Sequence, residues 1–274
     1  MKRLQIIIIV LAVLSIAGLY SLPRMVVDND EDEAKGLGEA NIPQENVGNH
    51  SPDIPEEVLP RVQRWKSELI SSGQIQNNES ALDSLMSVFK EINKYDSAAH
   101  YAGAFAERYQ EVKHWRKAGD AFYEAFTFAV EEAKSLNLSQ EARKYYDKIL
   151  DSGINDLDVK NNIAMLMVDS STPMQGIMML REILAEDPTH EKARLNMGWL
   201  SIRSQQFDKG VEHFESLLEN HPDNLEGNYY LGVCYFETGQ LEKAKAQLEK
   251  VKTMDTDPMV QTAADEFLER ISKN

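Results

Sequence analysis

A fixed period constrains this chain more than any other feature of its sequence. Between residues 157 and 258, Ile163-Ala164, Met197-Gly198 and Leu231-Gly232 recur every 34 positions, as do Gly176, Gly210 and Ala244. Leu180, Phe214 and Leu248 keep the same step, and so do Ile183, Leu217 and Val251. Small residues at two fixed places let paired helices approach closely, while the large apolar ones fill the layer between them. Asp187-Pro188 and His221-Pro222 fall at matching ends, where proline stops one helix before the next copy begins. Valine, isoleucine and threonine show no strand-like alternation, so the chain is expected to be all-α.

This pattern resembles the tetratricopeptide repeat family, with its large apolar residue followed by Ala or Gly, a small residue, an aromatic or leucine, and a terminal proline. The repeats fall at 157–190, 191–224 and 225–258, with helices expected near 157–170, 173–186, 191–204, 207–220, 225–238 and 241–254. Met167 and Ser201 depart from the preferred tyrosine, which Tyr235 supplies, and Thr256 stands where proline would fall. The resemblance implies a right-handed α-solenoid of helix hairpins. Residues 259–274, with Met259, Val260, Ala263, Ala264, Phe267, Leu268 and Ile271 on one stripe, read as a capping helix that protects the end of the stack.

Residues 56–156 are less regular. Phe105-Ala106, Tyr109, Ala118, Phe122 and Ala125 form an earlier copy, with Trp115 opening its second helix. Ala142, Tyr146 and Ile149 follow too soon for two standard repeats. Because 115–136 lacks proline and has Gly119 as its one weak breaker, a single helix is expected there, paired with another at 139–151. Amphipathic helices are expected at 57–72 and 79–94, joined by a polar turn over 71–78.

At the other end, Leu4–Leu22 carries no charge over 19 residues. At about 1.5 Å per residue that is roughly 28 Å of helix, enough for a bilayer core. Residues 1–23 therefore read as an N-terminal transmembrane signal anchor, with a cleaved signal peptide as the alternative that Ala17-Gly18 keeps open. Lys2 and Arg3 precede the span, which favours a cytoplasmic N-terminus and places the rest outside the cytoplasm. In a bacterium this is the inner membrane, with the domain in the periplasm. Residues 24–55, acidic and poor in apolar periodicity, read as a flexible linker. Asp28, Asp30, Asp32 and Glu39 imitate a calcium loop, but Glu33 occupies the glycine position, and a solvated linker is the better reading.

No catalytic constellation emerges. The chain has no Gly-rich phosphate loop, nucleophile elbow or metal-spaced histidine pair, so no enzyme activity, cofactor or metal is expected. His190-Glu191 lacks its second histidine and reads as a repeat junction. His221-Pro222-Asp223 matches the tripeptide of DnaJ-like co-chaperones but is explained by helix termination. Cys234, the one cysteine, lies one turn from Leu231 and is expected to be buried. A net charge of −16 argues against a nucleic-acid partner.

What remains is a surface. In the family the first helix of each repeat lines the inner groove, and the matching positions here include Met165, Leu195, Trp199, Ile202, Tyr229, Val233 and Phe236. The Lys, Asn and Arg set with which chaperone-binding members hold a terminal carboxylate is missing. The groove is expected either to take a protein or peptide segment on rigid aromatic anchors, or to be covered in part by the chain's own terminal helices. These features suggest a membrane-anchored adaptor or scaffold, with self-association through the repeats left open. By analogy of layout alone, a cytochrome c maturation factor or an envelope or division-complex scaffold are the alternatives.

Overall fold

A computed structural model describes residues 54–71 and 75–273. The Leu4–Leu22 span, nearly all of the acidic linker and its calcium-loop-like set lie outside the described residues. Among the described residues no helix is long and apolar enough to cross a membrane.

The described residues form twelve helices and no strand. They are α1 (Leu59–Ser71), α2 (Ile75–Glu91), α3 (Tyr95–Tyr109), α4 (Val112–Thr127), α5 (Glu132–Asp151), α6 (Leu157–Val168), α7 (Pro173–Glu186), α8 (Glu191–Arg203), α9 (Phe207–Asn220), α10 (Leu225–Glu237), α11 (Leu241–Met254) and α12 (Pro258–Ser272). From α6 onward they pair as α6–α7, α8–α9 and α10–α11, the first helices touch in succession, and α12 rests on α10 and α11. This is an all-helical solenoid of stacked hairpins.

The first helices start at Leu157, Glu191 and Leu225, and each is preceded by a capping side chain. Asp156 accepts the Val159 N–H at 3.0 Å, His190 Nδ1 the Ala193 N–H at 3.2 Å, and Asn224 the Gly227 N–H at 2.6 Å. Caps of this kind contribute about 1 kcal/mol each by satisfying orphan donors of the first turn. His190 is therefore a helix start rather than a metal ligand, and prolines are only half of the junction signal.

Between paired helices the periodic small residues act as the sequence implies. A Cβ on Gly198 would sit 2.5 Å from the Phe214 ring, and one on Gly176 would sit 2.3 Å from the Ala164 carbonyl oxygen. Phe214 over Gly198 and Leu248 over Gly232 are fully buried, as is Leu180 at the equivalent position of the first repeat. Tyr235 donates its hydroxyl to Glu215 at 2.5 Å, whereas Ser201 at the equivalent position turns back to the Met197 carbonyl at 2.9 Å. Cys234 is buried, and burial pushes its thiol up to about 12.

The irregular part differs from expectation in two places. Residues 115–136 are not one helix: α4 ends at Thr127, a turn occupies 128–131, and α5 runs from Glu132 to Asp151. The break needs neither proline nor glycine. Phe128 leaves the helix to stack on Tyr95, with ring centroids 4.1 Å apart, and Lys134 bonds Asp96 at 2.6 Å, so the start of α3 holds the turn. Tertiary contacts override local propensity here. Helix α2 likewise begins at Ile75 rather than 79, which brings Asn78 and Glu79 into its first turns. Asn78 donates to the Tyr109 hydroxyl at 2.8 Å, and Glu79 lies 2.7 Å from His114 Nε2.

Tyr146, fully buried on α5, joins three helices: its hydroxyl donates to Asp120 of α4 at 2.8 Å and accepts from Asn162 of α6 at 2.9 Å. Gly119 makes room for it, since a Cβ there would meet the Tyr146 ring at 2.7 Å.

Candidate functional site

The seven groove positions do not share one surface. Met165, Leu195 and Trp199 line an open cleft of about 450 Å³, together with Tyr123 and Phe126 of α4 and Ser135 of α5. Met165 is buried at its base, while Leu195, Trp199, Tyr123 and Phe126 stay half-buried. One wall of the cleft thus comes from the regular repeats and the other from the irregular region.

The rim is polar. Arg203 bonds Asp169 at 2.7 Å and places its guanidinium 5.3 Å from the Trp199 ring centre, which orients the indole. Burial, followed by the nearby Asp169 charge, pushes the Tyr123 hydroxyl up to about 12. It therefore stays protonated, and with Thr127 and Ser135 it supplies the polar groups of that wall. Glu226 on α10 closes the far end, and burial raises its carboxyl above the ordinary range.

The remaining positions are engaged within the chain. Phe236 meets Phe267 of α12 edge-on at 5.5 Å and lies 4.4 Å under the Arg270 guanidinium. Tyr229 also meets Phe267, at 6.2 Å, and its outer side faces a second cleft of about 570 Å³ lined by Leu225, Met259 and Val260. Val233 is buried, and half-buried Ile202 packs against the cluster built on Val211 and Phe214. The capping helix therefore packs on Phe236 and on one side of Tyr229, and leaves the other side of Tyr229 and the α6–α8 part of the strip accessible.

Sequence reasoning missed Tyr123, Phe126 and Ser135 as cleft residues. The signal for the first two was the aromatic pair three residues apart near the end of α4; Ser135 reaches the cleft because the chain turns at 128–131 instead of continuing as one helix. Among the described residues no group of three or more His, Cys, Asp or Glu side chains converges as a metal site would require.

Comparison with known proteins finds similarity to repeat-containing chains over part of the sequence. The chain is 24 % identical over 110 residues to the protein O-mannosyl-transferase Tmtc3 of Drosophila melanogaster, covering 40 % of this chain and 12 % of that protein. It is 31 % identical over 85 residues to human TMTC3, covering 31 % of this chain and 9 % of that protein. The chain thus spans about a tenth of the length of these relatives. Among solved structures, YrrB, described as a TPR protein with an unusual peptide-binding site, aligns over 77 % of this chain and 98 % of its own at 17 % identity, with a TM-score of 0.42. Residues 201–265 match the tetratricopeptide repeat family model. That match covers 65 of the 274 residues, from the end of α8 into α12, and shows that this stretch is similar to tetratricopeptide repeats.

Proposed function

We propose that this chain is a membrane-anchored adaptor that binds segments of other proteins in the cleft between Trp199 and Tyr123 and performs no chemistry itself. The observation that carries this reading is the cleft of about 450 Å³, in which large apolar side chains remain half-buried instead of being covered by the chain. Clefts that hold ligands have volumes of roughly 300–1,000 Å³, and half-buried aromatics are the side chains that dominate interface energy. Trp199 is held by Arg203, and Met165 supplies an adaptable floor.

The anchor and the side of the membrane rest on Leu4–Leu22 and on the basic residues before it. On this reading the repeat region works outside the cytoplasm, tethered by the acidic linker.

Two measurements test the proposal. Protease added to intact spheroplasts should digest the repeat region; a protected region would contradict the topology. A photo-crosslinking residue at Ser135 should capture partner protein in membranes, and Trp199→Ala should abolish that capture. Capture that is indifferent to Trp199 would contradict the assignment of the cleft.

A further inference from the structure

The opposite side of α8 carries a second cleft of different character. At 3.6 residues per turn, Arg194, Met197 and Ser201 lie on the side of α8 away from Leu195 and Trp199. They line a cavity of about 480 Å³ between α7, α8 and α9. Its charged and titratable lining is basic throughout: Arg181 from α7, Arg194 from α8, and Lys209 and His213 from α9, with no carboxylate among the lining residues. In a chain of net charge −16 this is a local reversal of sign.

Arg181, Arg194 and Lys209 form no ion pair among the described residues. Arg194 donates from Nη2 to the Pro188 carbonyl at 2.7 Å, while its buried Nε has no partner. Lys209 reaches the neutral Gln206 side chain at 2.5 Å, and Arg181 makes no ion pair. His213 senses the same field: burial, then the charges of Arg194, Arg181 and Lys209, hold its imidazole below the usual range, with Glu212 opposing in part. Like charges gathered around a partly desolvated space repel one another until an anion enters. Beneath the charges the floor is apolar, formed by Ile177, Leu184 and Leu200.

We propose that this cleft binds an acidic segment of a partner protein, with carboxylates meeting Arg181 and Lys209 and an apolar side chain resting on Ile177, Leu184 and Leu200. The floor distinguishes this occupant from a free phosphate, which would leave the apolar residues uncovered. The charge of the rest of the molecule distinguishes it from a nucleic acid or an anionic bilayer. A long polyanion would run onto acidic surface, whereas a short segment stays within about 8 Å, the screening length at physiological ionic strength. The site is independent of the cleft on the Trp199 side, so one chain would hold two segments on opposite sides of α8.

The test uses the full chain and a fluorescein-labelled peptide with Glu-Leu-Glu at its centre and uncharged glycine and serine on either side. The peptide should bind. Reversing two exposed cations, Arg181→Glu with Lys209→Glu, should weaken binding at least tenfold, and Trp199→Ala should leave it unchanged. If the double reversal unfolds the protein, Arg181→Gln with Lys209→Gln carries the same test, with a loss of about threefold expected from partial neutralisation. The proposal is overturned by absence of binding, by equal affinity for the same peptide with Lys-Leu-Lys at its centre, or by affinity unchanged in the folded charge variant. Displacement by inorganic phosphate at the peptide's own Kd would overturn the peptide assignment, as would phosphatidylserine vesicles binding with the same dependence on Arg181.

Discussion

Helices α1–α5 and α6–α11 solve the same packing problem by different means. In the second region the buried side chains recur with the repeat and fall into small clusters, such as Leu180 with Met197 and Phe214 with Leu231. In the first they form one continuous cluster, from Val58 through Tyr146 to Leu166, crossed by polar links such as Tyr146 to Asp120 and Glu79 to His114. A repeated unit makes its contacts by register, each hairpin meeting its neighbour as the previous one did. An unrepeated region has no register to rely on, and its helix pairing rests on single contacts and polar links that recur at no fixed step.

The largest effect should come from breaking the register. Phe214→Ala empties the space over Gly198, and a buried aromatic truncated in this way costs about 3–5 kcal/mol. Hydrogen exchange should show the loss concentrated in α8–α11, with α2–α5 still protected, because contacts in the stack run only between neighbours. Exchange rising equally in α4 and α5 would mean that the two regions share one cooperative core.

A smaller loss is expected in the first region from Tyr146→Phe, which keeps the ring and leaves Asp120 and Asn162 without their shared partner. Losing one partner of a partly buried polar network costs about 1–3 kcal/mol. Chemical denaturation should detect it, with protection reduced where α4, α5 and α6 meet. A neutral outcome would show that shape alone pairs these helices.

The smallest effect concerns pH. The Lys113 and then the His114 hydrogen bonds hold the Glu79 carboxyl below its ordinary range. Its stabilisation is therefore complete above the ordinary glutamate pKa of about 4.3 and is lost as the pH falls from there through the lower folded value. Glu79→Gln should flatten the acid limb of stability in α2–α4 and leave the repeats unchanged. An acid limb identical to that of the unmodified protein would remove Glu79 from the account.

The same comparison explains what could be read from the sequence. Ala164, Gly198 and Gly232 mark a period that fixes helix pairing, so α6–α11 are legible from the order of residues alone. The turn at 128–131 is not, because its causes are Tyr95 and Asp96, more than thirty residues away in sequence. Part of the cleft was legible for the same reason: Met165, Leu195 and Trp199 follow the repeat, whereas Tyr123 and Phe126 lie outside the 34-residue period and Ser135 depends on where α4 stops. The covering of Phe236 was foreseeable in kind, since a terminal cap was expected, but Phe267 and Arg270 as the groups that cover it emerge only from packing.

The central claim is that the strip is accessible around Trp199 and covered around Phe236, and that its accessible part binds protein segments. It is tested most directly by measuring melting and partner capture together for Trp199→Ala, with Phe214→Ala as the reference for a core truncation. The account predicts that Trp199→Ala loses capture at a stability cost of at most about 1.5 kcal/mol, well below that of Phe214→Ala. Equal melting losses in the two variants, or capture retained without the indole, would contradict it.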